Sequence, residues 1–230
     1  MANTIELKQQ IAQGEYDAAF AKLYGADAVQ EQRKRYTDLI DEFEKKYGTN
    51  RTVRLYSAPG RTEIGGNHTD HQHGCVLAAA IDRTARARVR PTGEGVVRVF
   101  SRGYAPVELA PDDLSPRQEE RNTTAALVRG MAAAFARRGI LWQGFDAWVE
   151  SDVLPGSGLS SSAAFEVLLG RIGNALFAGN SLTAPDIARM GQWAENVYFG
   201  KPCGLMDQLA SSTGGLVFMD FRDPAAPLGR

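Results

Sequence analysis

Pro155-Gly156-Ser157-Gly158-Leu159-Ser160-Ser161-Ser162-Ala163-Ala164 joins two patterned segments. Before it, Phe145 to Glu150 alternates as a strand does. After it, Phe165, Leu168, Leu169, Ile172 and Leu176 recur at helical spacing. The pattern predicts a strand, a glycine turn and a helix over Ala163 to Phe177. Glycines let a backbone approach a bulky anion closely, and the free N–H groups of a first helical turn favour negative charge. The serines therefore read either as simple helix caps or as part of a phosphate cradle. A Walker loop needs a lysine before its Ser/Thr, and none is present.

Working outward, the first fifty residues read as helical. Tyr36, Leu39, Ile40, Phe43 and Tyr47 share one helical face, Gly48 signals a stop, and Gly14 and Gly25 divide the upstream part into short helices. Strands are expected at Thr52 to Ser57, Val76 to Ile81, Thr84 to Arg90, Val96 to Ser101, Phe145 to Glu150 and Gly215 to Phe221. Arg121 to Arg138 reads as a helix, and another starts near Pro185. The irregular interleaving implies an α+β fold, with a helical extension at 1–50 followed by a second unit at 51–230. Arg83, Arg86, Arg88 and Arg90 alternate with Ala85, Ala87 and Val89, which predicts a strand with a solvated basic face.

Composition narrows the functional classes. The 230 residues are 43% hydrophobic and 23% charged, with a net charge of −1. That balance gives no reason to expect a nucleic-acid or anionic-membrane partner. No apolar run is long enough to span a bilayer, and Met1 to Gln13 lacks a signal-peptide core. Cys75 and Cys203 show no metal-ligand spacing, which fits a reducing cytoplasm. All three histidines fall in His68-Thr-Asp-His71-Gln-His73, so a zinc site is one reading of that cluster and a polar recognition loop is another.

Two further stretches complete a set. One runs from Ala58-Pro-Gly-Arg61 through Asn67-His-Thr-Asp70, and the other is Cys203-Gly-Leu-Met-Asp207-Gln208. With Pro155 to Ala164 between them, the chain resembles the galactokinase branch of the GHMP small-molecule kinase superfamily over roughly Tyr36 to Phe221. That family's first signature is close to Gly-Arg-Val-Asn-Leu-Ile-Gly-Glu-His-Thr-Asp-Tyr. Here it reads Gly60-Arg-Thr-Glu63-Ile-Gly65-Gly-Asn67-His-Thr-Asp70-His.

The resemblance implies the N-terminal domain of a GHMP kinase, with a mixed sheet packed by helices. It implies ATP-dependent phosphorylation of the C1 hydroxyl of galactose, with ATP and Mg²⁺ as cofactors. Asp207 is then the base and Arg61 its partner at the γ-phosphate. Asn67, His68, Asp70 and Gly204 fall at the sugar. Gly156, Ser157, Gly158, Leu159, Ser160, Ser161 and Ser162 fall at ATP, and Ser162 and Glu195 at the metal.

Departures qualify the substrate. Asn67 stands where the family commonly has Glu, which keeps hydrogen bonding but removes a charge at that position. A uronic acid such as galacturonate, or an amino sugar, is therefore an alternative substrate, and a non-catalytic sugar and ATP sensor is an alternative of another class. The superfamily's C-terminal glycine-rich motif has no counterpart, so the residues are expected to be the N-terminal part of a longer kinase. Apolar surface left by a missing half is expected to favour self-association.

Overall fold

The structure, a computed structural model, describes residues 2–110, 112–223 and 228–229. Residues 1, 111, 224–227 and 230, and the side chains of His71 and Leu228, lie outside that description.

Three helices come first: α1 (Thr4–Gln13), α2 (Asp17–Tyr24) and α3 (Val29–Tyr47). Asn3 caps α1 by accepting from the Ile5 and Glu6 N–H groups, and the Glu6 carboxylate returns the bond to Asn3 N–H at 2.9 Å. The predicted face of α3 is buried. Tyr36, Leu39, Ile40 and Phe43 pack with Leu7, Ile11, Phe20 and Val53 into a core of their own.

The sheet comprises β1 (Arg54–Gly65), β2 (Cys75–Pro91), β3 (Val97–Ser101), β4 (Val107–Leu109), β5 (Phe145–Ser151), β6 (Leu216–Asp220) and β7 (Leu228–Gly229). Its order is β4-β3-β5-β2-β6-β7, and β1 runs antiparallel along β2. Residues 85–91 of β2 pair with β5, whereas residues 75–79 pair with β6. The β3–β5 pair is parallel and the others are antiparallel, so the sheet is mixed. The helices α4 (Thr124–Ala136), α5 (Ser161–Phe177), α6 (Ala184–Ala194) and α7 (Met206–Thr213) complete the fold. Ala85, Ala87 and Val89 point from the sheet into the main core, with Val128, Leu168 and Ile187 of the helices opposite. On the β6 side, Val76, Ala78, Val217 and Met219 pack against Leu209 and Ala210 of α7.

Three sequence expectations need correcting. The Val76–Ile81 and Thr84–Arg90 segments are one strand, β2, and the strand expected at Thr52–Ser57 continues to Gly65. The basic run is solvated only at its start: Arg83 is exposed and Arg90 half-buried, but Arg86 and Arg88 are buried at 3% and 0% exposure. Helix α3 covers that face with Phe43 and its own backbone, and its Glu44 and Asp41 bring negative charge near Arg88. Arg88 Nη1 donates to the Ile40 carbonyl at 2.8 Å, and the guanidinium lies 4.5 Å from the Phe43 ring centre. Burial lowers the Arg88 pKa to about 10. Arg86 donates to Asp152 at 2.8 Å, at the root of the glycine loop. Alternation established that β2 has two faces; whether the arginine face is wet depends on what packs over it, here α3, whose Ile40 lies 48 positions upstream of Arg88.

Candidate active site

Strand β1 docks directly on the glycine loop. Arg61 N–H donates to the Leu159 carbonyl at 3.1 Å. Gly60 permits this approach, since a Cβ there would stand 2.8 Å from that same oxygen. Arg61 is then buried with its guanidinium spread between two partners. Nε donates to Asp207 Oδ1 and Nη1 to the Gly158 carbonyl, each at 2.7 Å. Ser160 donates its hydroxyl to the other carboxylate oxygen of Asp207. The three separated motifs therefore meet at one carboxylate. Asp207 sits in the first turn of α7, a helix absent from the elements expected from sequence.

Within the loop, Gly156, Gly158 and Ser160 have positive φ, at 76°, 75° and 58°. Ser157 turns back to donate to the Leu154 carbonyl at 2.6 Å. The serines thus divide: Ser157 stabilises the turn and Ser160 reaches Asp207. Ser161 and Ser162 open the first turn of α5 and line a cavity of about 600 Å³. Tyr104, Pro106, Asn122, Phe165 and Phe199 line it as well. A mainly apolar cavity that begins at a glycine-serine turn suits a flat heterocycle carrying phosphates.

Ser162 donates to Glu195 Oε1 at 2.7 Å. Glu195 begins a π-helical turn that follows α6 and is 1% exposed. Lys201 Nζ lies 3.4 Å from the same oxygen, and Gln208 Nε2 donates to the other at 2.7 Å. Gln208 also donates to Glu166 Oε2 at 3.0 Å, so one amide bridges two acids. Glu166 is fully buried. Desolvation, with the Glu195 charge as the second cause, holds its pKa well above the usual carboxylate range. Burial, followed by the Glu195 charge, pushes the Cys203 thiol up as well.

The sequence reading named Glu195 and Ser162 but missed Glu166 and the role of Gln208. One signal was available: Glu166 is an acid inside the apolar run Ala163 to Leu169, one turn after Ser162. The donor set suits a small hard cation, because Ser162 and Glu195 offer oxygen. Glu166 Oε1 and Gln208 Oε1 have no hydrogen-bond partner in this cluster.

The remaining motif forms the turn after β1. Asn67 and His68 are exposed and left-handed, with φ of 55° and 52°. Glu63 accepts from His68 N–H at 2.9 Å and lies 3.2 Å from His68 Nδ1. Asp70 is half-buried and accepts from Met206 N–H at 3.1 Å, one residue from Asp207. Gly204 lies so close that a Cβ would sit 1.8 Å from Asp70 Oδ2. Asp70 and Gly204 are thus in mutual contact beside Asp207, while Asn67 stands further out. Among the described residues, no three His, Cys, Asp or Glu side chains are grouped so as to hold a metal ion. No described helix is long and apolar enough to cross a membrane.

Known proteins resemble this chain in sequence and in fold. Residues 126–215 match the GHMP kinases N terminal domain, and residues 41–91 match the galactokinase galactose-binding signature. A galactokinase from Streptomyces coelicolor is 38% identical over 188 residues, covering 80% of this chain and 48% of the relative. One from Chloroflexus aurantiacus is 36% identical over 192 residues, covering 80% and 47%. The chain therefore spans about half the length of these curated relatives.

Among solved structures, Lactococcus lactis galactokinase complexed with galactose superposes with a TM-score of 0.77 at 24% identity, covering 85% of this chain and 51% of that one. Methanococcus jannaschii mevalonate kinase does so at 0.64 and 15%, covering 78% and 55%. At those identities the superpositions speak for the fold alone. The two family models fall on separate segments, one holding Arg61 and Asp70 and the other the serine loop and Asp207, and the galactokinases align across both. The chain belongs to the galactokinase/GHMP-kinase superfamily.

Proposed function

We propose that the protein to which these residues belong transfers the γ-phosphoryl of ATP to the C1 hydroxyl of galactose. The observation that carries this reading is the convergence on Asp207, which Arg61 and Ser160 reach from the other two motifs. A carboxylate oxygen holds two lone pairs, so Asp207 retains acceptor capacity for a sugar hydroxyl.

In the proposed step, Asp207 takes the C1 hydroxyl proton as that oxygen forms its bond to the γ-phosphorus and the bond to the β-phosphate oxygen breaks. Arg61 turns its guanidinium to the same point and offsets negative charge on the transferring group. The first turn of α5, with Ser161 and Ser162, receives the phosphates, and the adjoining cavity receives the base. Ser162 and Glu195 would hold Mg²⁺, which when bound neutralises phosphate charge. Asp70, fixed by Met206 N–H and Gly204, presents a carboxylate to neighbouring sugar hydroxyls, with His68 and Asn67 on the adjoining turn.

Phosphorus NMR of the product made by the complete protein from Mg-ATP and galactose tests the reading. A single anomeric phosphate supports it. Phosphate on any other hydroxyl refutes C1 as the acceptor.

A further inference from the structure

Glu63 and Asn67 carry, in reversed order, the two residue types of the family signature quoted above, which has Asn at the first position and Glu at the second. Read position by position, the sugar turn has lost a carboxylate at 67. In three dimensions the charge has moved a short way. Glu63 Oε1 accepts from His68 N–H, the amide that joins Asn67 to His68. That nitrogen is two covalent bonds from the Asn67 Cα, so the Glu63 carboxylate stands over the very peptide that position 67 contributes. Its other oxygen lies 3.2 Å from His68 Nδ1.

The direction of the side chain agrees. Glu63 and Arg61 are two residues apart on β1 and project from the same face of the strand. Arg61 reaches Asp207 on that face, and Ala78, opposite Glu63, packs there against α7 residues. Glu63 is well covered, with 14% of its side chain exposed, although the turn that it holds is exposed. Asn67 and His68 are both left-handed, a conformation uncommon outside glycine, and the Glu63 bonds tie that pair down.

We propose that Glu63 is a specificity-determining positioning residue. It supplies the negative charge of the sugar turn in place of residue 67 and sets the His68 ring and the 67–68 peptide for a neutral hexose. This rests on the sugar-kinase reading given above. Retained charge makes a hexuronate a poor acceptor, because its carboxylate would meet an acid. It also makes positions 63 and 67 interdependent: one acid and one amide work, whereas two amides or two acids do not.

Steady-state kinetics of the complete protein with galactose and galacturonate test the exchange. Wild type is expected to favour galactose. Glu63→Gln is expected to raise the galactose KM roughly tenfold, with kcat and the ATP KM moving less than about threefold, and to narrow the preference over galacturonate. Asn67→Glu alone is expected to raise the galactose KM, since it adds a second acid. The double variant Glu63→Asn with Asn67→Glu is expected to return to within about threefold of wild type, which independent sites would not do.

A purely structural Glu63 would not be rescued by a change at 67. An unchanged galactose KM in Glu63→Gln, or a double variant equal to the product of its singles, overturns the proposal and leaves the kinase reading standing. A wild-type protein that neither binds nor phosphorylates any sugar overturns both.

Discussion

Arg61 and Asp207 are 146 positions apart, yet Nε and Oδ1 meet at 2.7 Å while the same guanidinium holds the Gly158 carbonyl at 2.7 Å. One side chain thus fixes the distance between the carboxylate and the glycine loop. A lysine cannot form that fork, because its ammonium is a single point. Arg61→Lys is expected to lower kcat roughly a hundredfold, with changes in KM for ATP and sugar below about threefold. Initial-rate kinetics check this.

Gly204 tests the sugar side separately. A methyl there would overlap Asp70 Oδ2, so the carboxylate must move. Gly204→Ala is expected to raise the sugar KM by roughly tenfold or more while the affinity for a fluorescent ATP analogue stays unchanged. Equal losses in both would show that the substitution disturbs α7 as a whole.

Glu166 makes a pH-dependent prediction. Its folded pKa is raised, so between the unfolded value, near 4.5, and the higher folded one the native state holds a proton that the unfolded chain has released. Stability from this group is therefore full below the unfolded pKa and is lost as pH rises through the folded pKa. Glu166→Gln keeps an acceptor for Gln208 without that liability. It is expected to stabilise the protein by about 1 kcal/mol at pH 7 and to flatten the decline in stability above pH 4.5. Urea titrations from pH 5 to 8 measure both effects.

Glu195 bears on the metal. Glu195→Gln preserves a hydrogen-bond partner for Ser162 but removes the charge, and is expected to raise the Mg²⁺ concentration for half-maximal rate by roughly tenfold. A titration of rate against Mg²⁺ at fixed ATP checks it, and an unchanged midpoint would remove Glu195 from the metal site.

Much of the fold was legible locally. The face of α3, the strand-turn-helix around Pro155 to Ala164, and the helix at Pro185 were all signalled by periodicity and capping. The site residues were legible only as motifs held together by a family resemblance; nothing in the sequence alone places Arg61 beside Asp207. The misreadings share one cause. Arg88 looked solvated because alternation does not reveal what covers a face, and α3 covers it. Helix α7 was missed because eight residues, Met206–Thr213, give too little periodicity beside a glycine-rich turn. The unity of β2 was hidden because the exposed charged pair Asp82 and Arg83 interrupts its apolar pattern.

ADP release by the complete protein with Mg-ATP and galactose, wild type beside Asp207→Asn, tests whether Asp207 is the base. The amide keeps the size of the side chain and the contact with Arg61 but cannot take the C1 proton. The expected result is a fall in kcat of about a thousandfold with ATP and sugar binding retained. An Asp207→Asn protein that turns over like wild type would contradict Asp207 as the base. A wild-type protein that binds ATP yet releases ADP with no sugar would contradict the kinase itself and leave a sensor in its place.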